Sequence, residues 1–460
     1  MKQFAIIAIL LLATASIALP QAMPGGIARE VALGGSNAGV FNPMQPGGGL
    51  VLNPFIIDDP SLLLLNPAYQ AKYKDYLWTN IAGGGVTGAN SSENGYGNQN
   101  AGVAFSVTDK LTLGVILSYD PTAANLVDTL PTMYFYDLHE YSYRIPKIQN
   151  MWEVVGALDL PSMTLGFGVM YGWSSYNYKE NYKTTLLKYE EDASSYLLGF
   201  RGGMIMNVND NFTLDASASL RFDEASMKYT RNPSSSWYGW KYTASGTELQ
   251  FDVRAKMKMS EKFNFVPYGM FSYLSAKPKE DTPPNGYAKA PYTWELSSTN
   301  YAFGVGGEYK TKSFYFAGGL SWQHVGGKME YKDTAYTATD EYWYNGLPVF
   351  NLGGEWWLTD WMAGRIGYYR MIGSGHMKYD NPSYTDEYSI SYPHSFIYVG
   401  GLTPSTNDGL VTLGLGFKFG GFALDGTVSE EALRRGLGII GAQDNINTFG
   451  YLTASYSFGE

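Results

Sequence analysis

Within residues 247–260 of this chain, T-E-L-Q-F-D-V-R-A-K-M-K-M-S, the twelve from Glu248 to Met259 alternate polar and apolar without a slip. Glu248, Gln250, Asp252, Arg254, Lys256 and Lys258 form one set; Leu249, Phe251, Val253, Ala255, Met257 and Met259 form the other. A period of two puts such sets on opposite faces of an extended strand, whereas helical spacing would smear them around a circumference. Residues 212–223 repeat the pattern, with Phe212, Leu214, Ala216, Ala218, Leu220 and Phe222 set against Thr213, Asp215, Ser217, Ser219, Arg221 and Asp223. In a water-soluble sandwich the apolar set would be core and the charged set solvent. Strands this long, repeated along one chain and joined alternately by very short and very long connections, point instead to a transmembrane antiparallel β-barrel, with lipid outside and a polar lumen inside.

Residues 1–22 carry one basic residue, Lys2, an apolar run from Phe4 to Leu12, and small residues at Ala13, Ala15, Ser16 and Ala18. This is the layout of a secretory signal, with cleavage expected after Ala18 or Ala22. Beyond it no apolar run approaches the ~20 residues of a membrane helix. A membrane crossing must therefore be made by strands, and only a closed sheet satisfies every backbone group in lipid. The formal net charge of −10 comes without a basic stripe, which argues against a nucleic-acid partner. The absence of cysteine excludes disulfides, thiolate metal sites and cysteine catalysis. The 54 glycines among 460 residues exceed the usual ~7% and favour close strand approach over helix.

Sixteen strand candidates follow one another from Tyr76 to Phe458. Many are joined by two to four residues of turn chemistry: Asp109-Lys110, Pro161-Ser162, Asn209-Asp210-Asn211, Ser260-Glu261-Lys262, Thr311-Lys312, Thr359-Asp360 and Gly420-Gly421. Between them lie long segments (120–149, 277–298 and 380–408) rich in Tyr, Pro, Asn and acidic residues. Short turns on one side and long loops on the other define the outer-membrane arrangement. The expectation is a monomeric barrel of 14 to 16 strands over residues 75–460, embedded in the outer-membrane bilayer. Aromatics near predicted strand ends (Tyr76, Trp78, Trp152, Trp173, Trp237, Trp240, Phe263, Trp322, Trp356, Trp357 and Trp361) suit the headgroup boundary.

Residues 23–74 do not alternate and are loaded with Gly and Pro, which remove them from the ladder. A disordered periplasmic tail is one reading. Phe55, Ile56, Ile57 and Leu62 to Leu65 still need burial, so a plug inside the barrel is the preferred one. Its specific part is Asp58, Asp59, Pro60, Ser61, Leu62, Leu63, Leu64, Leu65, Asn66, Pro67 and Ala68. Pro60 and Pro67 hold the residues before them extended. Between them a single helical turn is expected, capped by Ser61, with the leucines against the wall. Such a segment is either a displaceable gate or a fixed stopper.

The stretch Asp58-Asp59-Pro60-Ser61 followed by Asn66-Pro67-Ala68 resembles the start of FadL/TodX-type long-chain fatty acid and aromatic-hydrocarbon transporters, and of the related PorV-like barrels. Thr412-Leu413-Gly414-Leu415-Gly416-Phe417-Lys418-Phe419-Gly420 and Phe422-Ala423-Leu424-Asp425-Gly426 are similar to their penultimate hairpin. The resemblance covers about a tenth of the chain. It implies an N-terminal hatch within a 14-stranded barrel, and hydrophobic ligands that travel through the lumen and leave laterally. Passive uptake of a hydrophobic or amphipathic small molecule is the function it implies. A general porin, or a PorV-like secretion scaffold that binds protein partners, is the alternative.

No metal or cofactor is expected. His139, His324, His376 and His394 lack ligand spacing, and no Ser/His/acid grouping singles itself out for catalysis. Asp58-Asp59 reads as a turn that bonds its own backbone, and Glu190-Glu191 and Glu430-Glu431 as solvated loop residues. Alternation turns Asp215, Arg221, Asp223, Asp252, Arg254, Lys256, Glu308, Glu355 and Arg365 inward, because charges facing lipid cost a few kcal/mol near the midplane. These charges either brace the wall across strands or hold the plug, through Lys72, Lys74 and Asp75.

Overall fold

A computed structural model describes residues 25–35, 53–82, 100–120, 148–181, 188–232, 239–280, 293–332, 337–382, 384–391, 409–428 and 449–458. The signal segment, Trp237, His139, His394 and Glu430-Glu431 lie outside these residues. One short helix, α1 (Ile27–Ala32), precedes two 3-10 turns, Pro60–Leu64 and Pro67–Ala71. The strands begin with β1 (Tyr76–Ala82), β2 (Asn100–Ser106), β3 (Leu111–Asp120), β4 (Ile148–Asp159), β5 (Met163–Asn181) and β6 (Lys188–Asn209). They continue with β7 (Phe212–Asn232), β8 (Gly239–Lys258), β9 (Phe263–Glu280), β10 (Thr293–Lys310), β11 (Phe314–Lys332) and β12 (Thr337–Trp357). Last come β13 (Met362–Asn381), β14 (Tyr384–Ser391), β15 (Gly409–Phe419), β16 (Phe422–Val428) and β17 (Phe449–Ser457).

These strands form one antiparallel sheet that closes on itself where β1 pairs with both β2 and β17. The far half of β13 pairs with β14 and its near half with β15. Closure runs through the β13–β15 contact, so the ring has sixteen strands and β14 lies outside it. The count sits at the upper end of the sequence expectation.

Side-chain direction follows the two-residue period. Leu117, Val154, Phe167, Phe200, Phe251, Phe303 and Val305 point outward and are exposed, as a lipid-facing wall requires. Their neighbours in the chain, among them Ile116, Val155, Gly168, Gly199 and Ala302, point inward. Rings gather on the outer surface: Trp152, Tyr171 and Trp173 in one group, Trp361 against Phe417 and Phe419 in another. His324 lies flat on Tyr301 at 4.6 Å and His376 on Trp343 at 5.6 Å, both on the outside. Tyr76 and Trp78 depart from the expected belt. The phase of β1 turns them inward, where both are buried and the indole Nε1 donates to Asn100 Oδ1 at 3.1 Å.

Several segments expected to be loops are strand. β9 extends to Glu280, β10 starts at Thr293, β14 occupies part of 380–408, and Glu190-Glu191 lie within β6. Strands β5 to β13 have 18 to 22 residues, against the ~9–11 that cross a bilayer. Their far halves stand above the lipid. There the outer face turns polar, as with Glu224 and Lys228 beyond Phe222, so alternation of direction continues while alternation of hydropathy stops.

Candidate functional site in the barrel lumen

The N-terminal segment lies against inward-facing residues of the wall, and the reason begins with two short motifs. Asp59-Pro60 and Asn66-Pro67 each set a capping side chain before a proline at the first helical position, where a missing N–H costs nothing. Asp59 Oδ1 accepts from Ser61 N at 2.8 Å and Asn66 Oδ1 from Ala68 N at 2.9 Å. Asp59 is therefore the cap that Ser61 was expected to be. The Ser61 hydroxyl instead donates to Glu30 Oε1 at 3.1 Å.

Both caps also reach other partners. Asp59 Oδ2 accepts from Arg29 Nη1 at 2.8 Å, and Arg29 Nε donates to Glu355 Oε2 at 2.8 Å. Arg365 bridges Glu355 and Asp425, each at 2.6 Å, and Asp425 Oδ2 accepts from Gly25 N at 3.1 Å. Charges alternate in sign along this chain from Asp59 to Asp425, and all five groups are buried. The Tyr315 ring lies 4.8 Å from the Arg29 guanidinium. Glu30 is also fully buried; burial, then the nearby Asp59 charge, pushes its carboxyl well above the ordinary range.

Asn66 anchors the other side. Its Nδ2 donates to Asp215 Oδ1 at 2.6 Å, and Asp215 Oδ2 accepts from Tyr69 Oη at 2.9 Å and Arg254 Nη2 at 2.5 Å. Arg254 also donates to the Ile56 carbonyl at 2.9 Å. Arg201, paired with Glu153 at 2.6 Å, donates to the carbonyl of Leu64. Leu62 and Leu63 are buried among Tyr69, Tyr73, Tyr76, Trp78, Ile116 and Val155, about 1.5–3 kcal/mol for each leucine. Leu64 and Leu65 are half-buried beside them. The wall makes room with glycine: a Cβ at Gly203 would collide with Asn66 Oδ1, and one at Gly353 with Leu33.

The remaining wall charges brace each other. Arg221 lies 3.6 Å from Glu248 and 4.0 Å from Asp223, and Glu308 accepts from Tyr315 at 2.7 Å and Asn264 at 3.1 Å. Asp252 accepts from Gln250 at 2.7 Å. Lys256 stands exposed at the short-turn mouth instead of lining the interior. Of the residues offered as anchors to these wall charges, Lys72 and Asp75 meet other partners. Lys72 pairs with Asp58 of the segment itself at 2.7 Å, and Asp75 accepts from Ser106 at 2.9 Å. Partial burial works against the Asp58 charge, but Lys72, then Lys310 and Arg29, outweigh it and lower the carboxyl to about 2.

Sequence reading missed Arg29, Arg201 and Glu153. Arg29-Glu30 carried a signal, being the sole charged pair in an uncharged, glycine-rich run from Met23 to Ile57. Arg201 and Glu153 carried none beyond strand phase.

No family model matches the chain, and no curated protein matches it. Among solved structures, a Pseudomonas aeruginosa FadL homologue is similar over 96% of this chain and 100% of its own, at 11% identity and a TM-score of 0.38. The toluene transporter TodX of Pseudomonas putida is similar over 95% and 97%, at 8% identity and 0.33. The ferric-catecholate import receptor Fiu of E. coli K12 is similar over 83% and 81%, at 11% identity and 0.31. Likeness at this level leaves the family open.

Proposed function

We propose that this chain is an outer-membrane barrel for passive uptake of hydrophobic or amphipathic small molecules, with residues 23–74 as its plug. The observation that carries the reading is the lining of the upper lumen. A water-filled pore is polar throughout its inside, whereas the inward faces here bury Met170, Leu197, Met227, Leu274, Leu296, Met329 and Met377 among the polar Ser195, Asp223, Glu248 and Ser298. Methionine adapts its shape to varied apolar partners, which suits a path that takes more than one ligand. Ile148, Met151, Met170 and Leu197 form one apolar cluster on β4 to β6, and Val349, Tyr369 and Met371 another on β12 and β13. The Asp59-Pro60 and Asn66-Pro67 stretch, similar to the start of FadL/TodX-type transporters, supports the same reading.

The test uses N-phenylnaphthylamine, a neutral apolar dye, with the protein in detergent, and conductance in planar bilayers. The expected outcome is saturable dye binding and a closed or nearly closed barrel. Met227→Asp with Leu274→Asp should weaken binding about tenfold, a loss of ~1.4 kcal/mol. A large, steady open conductance without dye binding would make the protein a general porin.

A further inference from the structure

The short-turn mouth of the barrel carries a charge pattern that uptake does not account for. The chain as a whole is acidic, at net −10. Yet between β8 and β11 the mouth gathers Lys256, Lys258, Lys262, Lys310 and Lys312, all exposed, and Lys72 of the N-terminal segment joins them. The acids among them are Glu261 and Asp58, and Asp58 is shared between Lys72 at 2.7 Å and Lys310 at 3.7 Å. Lys310 N donates to the Lys262 carbonyl at 2.9 Å, which places the β8–β9 turn beside β10. Four adjacent strands span about 15 Å at the usual strand spacing, so the lysine heads share one small surface. On the β4 to β7 side Asp159 and Asp210 carry the opposite sign, and the β6–β7 turn adjoins the patch where Lys258 N donates to the Asn211 carbonyl at 2.8 Å; in the β2–β3 turn Asp109 is balanced by Lys110.

Direction decides what this surface can meet. Lys256, Lys258 and Lys310 have the strand phase of Arg254 and Glu308, which face the interior, so they line the mouth and do not point to lipid. Their partner arrives from the aqueous space below the barrel. We infer that the β8 to β11 sector of the mouth is a docking surface for an acidic segment of a periplasmic protein. Unbalanced lysines raise a local potential of several kT, which attracts a flexible acidic chain and is weakened by salt. Asp210 at the edge of the patch and Asp159 beyond it repel the same chain and bound the sector on that side. Lipid headgroups reach the outer rim of the barrel and not the inner edge where these side chains stand.

The experiment measures binding of fluorescent poly-L-glutamate to the full-length protein in nanodiscs of zwitterionic lipid. Binding should saturate at one site and weaken about tenfold between ~20 and ~200 mM salt. The variant K256E/K258E/K262E/K312E should abolish it. Equal charge reversal on the far outer wall, K228E/K241E/K277E/K279E, should leave affinity for the site within about twofold. Heat-resistant mobility in detergent confirms that both variants are folded. Equal loss in both variants would show attraction by net charge alone and overturn the site. So would unchanged binding in the mouth variant, or a mouth variant that loses only retention of anionic phospholipid.

Discussion

Arg29 shows how one side chain ties the N-terminal segment to the barrel. It is buried between Asp59 of its own segment and Glu355 of the wall. Removing one partner of a buried pair leaves an uncompensated charge, at about 3–5 kcal/mol. Arg29→Met should therefore release the segment to added protease while the barrel keeps its heat-resistant form, because Glu355 retains Arg365. Glu30 gives a pH test. Its folded pKa is raised, so the docking it contributes is complete below the ordinary carboxylate value of ~4.3 and lost as pH rises through the folded value. Wild-type segment protection should fall as pH rises above that range. Glu30→Gln, which keeps the shape without the charge, should remove this fall, as read by protease protection across pH. Identical pH profiles for wild type and variant would mean that Glu30 is charged in the docked state.

At the scale of elements, the docking surface is made by two 3-10 turns meeting glycines in β-strands. Gly203 in β6 faces Asn66, and no side chain fits between them. Valine suits a strand, so Gly203→Val should preserve the β6 ladder while displacing the turn Pro67–Ala71. The chain has no cysteine, so Ala68→Cys gives a single reporter thiol. In wild-type background Ala68 is buried and maleimide labelling should be slow; with Gly203→Val it should accelerate at least about tenfold, an opening of ~1.4 kcal/mol. Strand length belongs to this scale too. β7, β11 and β13 were legible almost to their far ends, whereas residues 188–192, 239–243, 277–280, 293–298 and 337–344 of β6, β8, β9, β10 and β12 were not, because there the outward residues meet water and are polar.

For the whole molecule, the question is what the wall does without the segment. The charges that contact it also pair with one another: Glu355 with Arg365, Asp215 with Arg254, and Glu153 with Arg201. Deleting residues 23–65 therefore strands no wall charge. The expected outcome is a barrel that still folds, with heat-resistant mobility in detergent, and a raised conductance in planar bilayers. Loss of the folded form would instead make the segment a stopper that stabilises the barrel. Unchanged folding and unchanged conductance together would remove any role for the segment in closing the lumen.

The sequence alone determined the barrel, because a two-residue period reports which face of each strand meets lipid, and turn chemistry reports where strands reverse. It also marked Asp59, Pro60, Asn66 and Pro67, since proline holds the residue before it extended, but it placed the cap on Ser61 where the structure has Asp59. Tertiary structure alone decided the partners. Arg29 meets Glu355 across 326 positions of the chain and Gly25 meets Asp425 across 400. No local pattern encodes such a meeting; it follows from where sheet closure brings strands that are distant in the chain around one lumen.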